Sequence, residues 1–226
     1  MGETITLKSP LDGFAFSAWR AVPRDARRGG LVLIQEIFGV NAHIRALADS
    51  FAEDGYETIA PSLYDRLQPG FETGYDDAGR KDGVRYSQET PWAEVAADLQ
   101  ATIDALQGPV FVVGYCWGGA AAWLAAARCR GLSAASCYYG RRITELLDET
   151  PKVPTILHFG RTDASIPLER VDEIATRYPD IPIHLYDAGH GFACDQRADH
   201  APDAARLARL RTLQLFARNS GGKAEV

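Results

Sequence analysis

The sequence predicts an α/β protein in which a mostly parallel sheet carries helices on both faces and is entered through an N-terminal β-hairpin. Three observations predict it. The continuous apolar run LVLIQ (31–35) reads as a strand buried on both faces, as a parallel sheet requires, and the apolar run VFVV (110–113) and the segment PTILHFG (154–160) read as further strands. Those runs alternate with stretches whose apolar residues return at helical spacing. No internal repeat or change of composition divides the 226 residues, a length that one core can serve, so residues 1–226 read as one domain.

Taken in order, ITLKSPLDGFAFSAWRAV (5–22) reads as a hairpin, with two alternating runs around the turn pair Asp12-Gly13. PRDARRGG is a polar loop, and LVLIQ the first buried strand. A helix spans His43 to Glu53 and Gly55 stops it; YETIAPSLY (56–64) is a short strand running into a Pro-marked loop. Residues 65–90 are polar, glycine-rich and weakly periodic, which predicts a long functional or mobile loop. Thr90-Pro91 reads as an N-cap and first helical residue, opening a helix that runs to Leu106. After VFVV come a helix over Trp117–Cys129, the strand SAASCYYG (133–140), a short helix ITELLD (143–148) and the strand PTILHFG. A helix over 168–177, a last strand IHLYD (183–187) and an amphipathic helix over 203–217 complete the chain.

Composition excludes several classes. A net charge of −6 leaves no basic footprint for a nucleic acid. No apolar run approaches the roughly 20 residues of a membrane helix, and MGETITLKSP lacks the basic-then-apolar architecture of an export signal. The expectation is a cytoplasmic protein with reduced thiols. Its four cysteines (Cys116, Cys129, Cys137, Cys194) show no CxxC spacing and no metal-ligand pairing with the five histidines, so neither a disulfide framework nor a metal or other cofactor is expected.

GYCWGG (114–119) sits where the run VFVV ends and an alanine-rich helix begins. A nucleophile on a sharp strand-to-helix turn needs small neighbours, because side chains there would collide with the adjoining strand and helix. The turn also puts the Cys116 sulfur at a helix N-terminus, where the macrodipole favours thiolate. Taken alone, Cys116 is equally a small buried hydrophobe. Two further residues decide the reading, because they follow in the order nucleophile, acid, histidine: Asp163 in GRTDASIP and His190 in DAGHGF, each just past a strand's carboxyl end. Asp163 would hold the His190 tautomer; Asp187 is the rival acid but shares a loop with His190. His158 and His184 lie inside strands and read as core, while His43 and His200 read as surface. Glu36, in QEIFGVN at the end of LVLIQ, could accept the thiol proton. The amides of Ile37 and Trp117 would supply two donors for an oxyanion, each worth about 10²–10³ in rate.

QEIFGVN (35–41), APSLY (60–64), GYCWGG, CYYG (137–140), GRTDASIP (160–167) and AGHGF (188–192) together resemble the dienelactone hydrolases, or carboxymethylenebutenolidases, over almost the whole chain. The resemblance implies an α/β-hydrolase fold and a hydrolase that opens a small unsaturated lactone, or a related small ester, through a thioacyl-enzyme. It implies Cys116 as nucleophile, His190 as base, Asp163 as its orienter, and Glu36 as the carboxylate that pairs with the resting thiol. Tyr139 would line the pocket. The family's best-known members hold a substrate carboxylate with two arginines. One of those positions is Cys194 here; the other falls among Arg80, Lys81 and Arg85, with Lys81 and Arg85 taken as the substrate-binding pair. Arg197 could replace the missing arginine only on a differently shaped loop. The expected partner is a small lactone or ester, with no nucleic acid or membrane, and the chain a monomer or weak oligomer. Two rivals stand beside this reading: an acyltransferase using the same elbow, and a binding protein that has lost turnover.

Overall fold

A computed structural model describes residues 2–221. One eight-stranded sheet organises them: β1 (Glu3–Lys8), β2 (Ala15–Ala21), β3 (Gly29–Ile34), β4 (Tyr56–Pro61), β5 (Val110–Tyr115), β6 (Leu132–Tyr138), β7 (Thr155–Gly160) and β8 (Ile183–Tyr186), in the spatial order 1-2-4-3-5-6-7-8. The hairpin pair β1–β2 and the β2–β4 contact are antiparallel, and every other pairing is parallel. The turn between β1 and β2 is closed as its sequence predicts. Phe14 N–H donates to the Asp12 carboxylate at 3.0 Å, and Gly13 takes a left-handed φ of 77°.

β3, β4, β5 and β7 are buried along their whole length, and β3 and β5 carry the apolar runs that such burial imposes. The crossovers between parallel strands place helices on both faces of the sheet. α1 (Ala42–Glu53) and the C-terminal helix Pro202–Arg218 share one face, where Arg209 joins them through Asp54 and Ser50 and lies over the Phe51 ring. On the other face α3 (Trp92–Asp104) packs against α4 (Trp117–Arg128). The chain leaves β3 toward β4 and leaves β5 toward β6, in opposite directions, so the crevice between the carboxyl ends of β3 and β5 is the point where the topology switches. Ligands bind at such points in open α/β sheets.

Four expectations need correction. Half of the presumed loop over 65–90 is a helix, α2 (Asp77–Glu89), capped by the Asp76 carboxylate accepting from Gly79 N–H at 2.7 Å. Its glycines weaken the helical pattern but permit contact: a β-carbon at Gly83 would sit 2.3 Å from the Ile37 carbonyl oxygen. Thr90 ends α2, its hydroxyl donating to the Tyr86 carbonyl, and Pro91 takes the N-cap place of α3. The short helix expected over ITELLD is a 3₁₀ turn two residues earlier, Arg141–Glu145. His43 is buried rather than superficial, because the loop after β8 covers the start of α1 and brings Asp195 to 3.0 Å from its Nδ1. His158 is fully buried between the Tyr186 and Ser136 hydroxyls, and burial lowers its pKa well below the usual imidazole value.

Candidate active site

β5 ends and α4 begins within one residue. Cys116 makes that turn with φ 56° and ψ −117°, a strained conformation for a residue with a side chain, and it projects the sulfur outward. Packing around the turn holds it there. A β-carbon at Gly114 would lie 1.9 Å from the Gly118 carbonyl oxygen. At Gly118 it would lie 2.3 Å from the carbonyl oxygen of Gln35, and at Gly119 2.5 Å from that of Tyr138. The small residues of GYCWGG therefore seat α4 on the ends of β3 and β6. Trp123 packs beneath, fully buried, its Nε1–H donating to the Leu146 carbonyl.

His190 and Asp163 come to Cys116 from the loops after β8 and β7. His190 Nε2 lies 3.2 Å from Cys116 Sγ, and His190 Nδ1 lies 2.7 Å from Asp163 Oδ2. The other Asp163 oxygen accepts from Ser165 N–H at 2.7 Å and Ile166 N–H at 3.1 Å, so the carboxylate is fixed before it meets the imidazole. Burial alone would lower the His190 pKa; the neighbouring Cys116 sulfur and Asp163 carboxylate outweigh it and raise the value to about 10. Asp187 is exposed and pairs instead with Arg161, so the rival acid lies outside the constellation.

Glu36 is buried, with one oxygen 3.8 Å from Arg197 Nη1. Neither oxygen makes a hydrogen bond among the described residues. The expected pairing of Glu36 with the thiol is therefore not the arrangement seen: Cys116 is turned toward His190. Arg197 reaches Glu36 because the loop after β8 folds back over Gly191, where a β-carbon would lie 2.8 Å from the guanidinium. Tyr139, expected in the pocket wall, is instead fully buried behind it, its ring 5.2 Å from that of His190 and its φ a strained 36°. Burial, with the Glu36 charge adding to it, pushes the Cys194 thiol up to about 11.

A cavity of about 630 Å³ opens over the sulfur, with Ile37, Trp117, Cys116 and His190 in its wall. Trp117 stacks on Trp92 with 5.8 Å between ring centroids. Four arginines line the cavity (Arg80, Arg141, Arg142, Arg197) against two acids (Glu145, Asp199). Arg142 is engaged: it donates to the Ser87 carbonyl and to Glu145 and lies over the Trp92 ring. Arg80 and Arg141 have no carboxylate within ion-pair distance among the described residues. Lys81 and Arg85 do not line the cavity. Arg80, Val84, Ser87 and Gln88 form the inward stripe of α2 at helical spacing, and Lys81 is a turn of about 100° away from it. Arg85 pairs with Asp82 on the outer side. Arg141 and Arg142 escaped the sequence reading, although an arginine pair just past the strand SAASCYYG was a signal of the same kind as Asp163 and His190.

The parallel sheet, the strained elbow and the ordered Cys116–His190–Asp163 line define an α/β hydrolase. Comparison with known proteins narrows this. The profile of the dienelactone hydrolase family matches residues 16–220. A carboxymethylenebutenolidase of Pseudomonas putida is 33% identical over 228 residues, covering 95% of this chain and 96% of the relative. A Synechocystis protein provisionally named as the same enzyme is 36% identical, covering 82% and 84%. A solved structure from Klebsiella pneumoniae, provisionally assigned as a dienelactone hydrolase, superposes with a TM-score of 0.83 at 28% identity, covering 96% of this chain and 99% of that one. The chain belongs to the dienelactone hydrolase family.

Proposed function

We propose that the chain hydrolyses a small lactone or related small ester carrying a carboxylate, by a Cys116 nucleophile and a thioacyl-enzyme. The observation that carries the reading is the continuous line Cys116–His190–Asp163, at 3.2 and 2.7 Å, opening into a cavity rich in arginine. In this reading Cys116 gives its proton to His190 Nε2 as its sulfur attacks the carbonyl carbon. The oxyanion rests on the amides of Ile37 and Trp117, which border the same cavity. The C–O bond then breaks, and His190 gives its proton to the departing enolate. Water attacks the thioester, losing a proton to His190; the acid is released and the thiolate re-forms. Asp163 keeps Nδ1 protonated throughout, so Nε2 exchanges protons at the reaction centre.

The carboxylate part of the reading rests on charge. The chain is net negative, yet its cavity holds four arginines against two acids, and Arg80 and Arg141 lack acidic partners among the described residues. These two take the place of the arginine pair whose second member is Cys194 here. Arg197 borders the same cavity and pairs with the buried Glu36, which would accept the thiol proton when Cys116 turns from His190. Four free cysteines suit a reducing compartment, and no described helix is long and apolar enough to cross a membrane.

The test is ring opening of a carboxylated dienelactone, followed by loss of its ultraviolet absorbance, in wild type and Cys116→Ala, with mass spectrometry of the quenched enzyme. The expected result is turnover that disappears in the variant and an acyl adduct on the Cys116 peptide. Adduct without product would favour a binding protein, and turnover surviving Cys116→Ala would refute the nucleophile.

A further inference from the structure

A second cluster of chemically reactive groups lies apart from Cys116. His43 stands in the first turn of α1, and Cys194 and Asp195 stand in the loop after β8, more than a hundred residues away in sequence. Folding brings the three together: one donor atom from each lies within 4.8 Å of the other two, and His43 Nδ1 is 3.0 Å from Asp195 Oδ1. We propose that His43, Cys194 and Asp195 form a binding site for one divalent transition-metal ion of the zinc type.

The geometry suits it. In a tetrahedral complex with bonds of about 2.0–2.3 Å, neighbouring donors stand about 3.2–3.8 Å apart. The imidazole and carboxylate are already near that spacing, at 3.0 Å, and the sulfur, within 4.8 Å of both, must close by about 1.3 Å at most. The donor chemistry selects the ion: thiolate, imidazole and carboxylate suit zinc, whereas magnesium and calcium want oxygen alone. The fourth position falls to water. Burial divides the labour between the donors. His43 and Cys194 are buried and held by packing, while the Asp195 side chain is largely exposed and gives the ion its way in. On binding, the metal–sulfur bond replaces the Cys194 S–H bond and one proton leaves to solvent. With one thiolate and one carboxylate on a dication, the centre is neutral.

The surroundings support the ligands. The Tyr75 hydroxyl adjoins the Cys194 sulfur and accepts from Asn41 Nδ2 at 3.3 Å. The Asn41 carbonyl oxygen meanwhile accepts from Ile44 N–H, capping the helix that carries His43. An ion here would bind the start of α1 to the loop that also carries His190 and Arg197. Its effect would be to stiffen that loop, and no step of the proposed hydrolysis passes through it. Nothing in the local sequence marks the site, because these ligands meet only across the fold.

Cobalt(II) is the probe, because a thiolate bound to it gives a charge-transfer band in the near ultraviolet and tetrahedral coordination gives intense visible bands. The full chain carrying Cys116→Ala is titrated, so that the Cys116–His190 pair cannot bind the ion. We expect one equivalent of cobalt with a thiolate band, displaced by one equivalent of zinc. The band should vanish in a further Cys194→Ser variant. Cys194 is buried and its substitution could impair folding, so Asp195→Asn is the companion variant at an exposed position; it should keep the band and weaken binding more than about tenfold. Absence of the band, a band surviving Cys194→Ser in folded protein, or an affinity unchanged by Asp195→Asn would each overturn the assignment.

Discussion

Replacing Asp163 with asparagine changes one atom and tests how the histidine is oriented. Asp163 Oδ1 already accepts two backbone N–H groups, from Ser165 and Ile166, and Oδ2 faces His190 Nδ1. Asparagine has one oxygen to offer. Turning its NH₂ toward two N–H donors would leave both of them buried without acceptors, at about 1–3 kcal/mol each. The oxygen therefore stays with the backbone and the NH₂ faces Nδ1. Nδ1 must then become an acceptor, which moves the imidazole proton to Nε2, opposite the sulfur. His190 can no longer take a proton from Cys116, and the carboxylate that helps hold its pKa near 10 is gone. The same exchange in a serine triad lowers kcat about 10⁴-fold. A thiol ionises more readily than a hydroxyl, so we expect a loss of about 10²–10⁴ in kcat/KM. The alkaline limb of the pH profile should also move to lower pH, because imidazolium is lost earlier. The assay is ultraviolet-monitored ring opening of the carboxylated dienelactone between pH 6 and 11. An activity within tenfold of wild type with an unmoved alkaline limb would refute the tautomer argument.

Three further outcomes are expected. Arg141→Ala should raise KM for a carboxylated lactone about tenfold to a hundredfold, the worth of a charge-assisted hydrogen bond, and leave an uncarboxylated lactone unaffected; equal effects on both would detach Arg141 from carboxylate recognition. Gly118→Ala should destabilise the fold by about 1–3 kcal/mol, since its β-carbon would meet the backbone oxygens of Gln35 and Ile34 at 2.3 and 2.6 Å, and a urea midpoint unchanged from wild type would contradict that. The raised His190 pKa contributes stability that is complete below the unfolded imidazole value of about 6.5 and disappears as pH rises toward 10. Removing the sulfur in Cys116→Ala lowers that pKa, so the stability difference between wild type and variant should shrink between pH 6.5 and 10. Urea melts at both ends would detect it, and a constant difference would count against the coupling.

The elements most legible in the sequence are those whose burial is uniform. β3 and β5 are buried along their whole length, so selection for the core leaves a continuous apolar signal. The elbow was legible for a different reason: steric exclusion admits so few residues at 114, 118 and 119 that the glycines themselves describe the turn. α2 was misread because the same kind of exclusion worked there. Gly79 and Gly83 admit close approach of Thr73 and the Ile37 carbonyl, and a glycine spent on contact is indistinguishable in sequence from one spent on flexibility. Lys81 and Arg85 could be separated from Arg80 only by knowing that a helix presents one face to the cavity, which Arg80 lines and they do not. His43 was misplaced because its cover comes from a loop some 150 residues later, beyond any local pattern.

The arginine-lined cavity in a net-negative chain bears on how an anionic substrate is selected. Six excess negative charges act at long range against an approaching anion, but at physiological ionic strength they are screened beyond about 8 Å. Within that distance the cavity wall governs. Arg142 and Arg197 are tied to Glu145, Asp199 and Glu36, so most of their charge is answered by the protein itself. Arg80 and Arg141 are not, and they are carried by different elements, α2 and the 3₁₀ turn after β6, which Arg142 ties together through the Ser87 carbonyl. In the proposed reading, discrimination would arise from two cations unpaired among the described residues, placed on two pinned walls, rather than from the field of the whole molecule. A substrate carboxylate would bind there without breaking an existing ion pair, and the Glu36–Arg197 pair would be left intact.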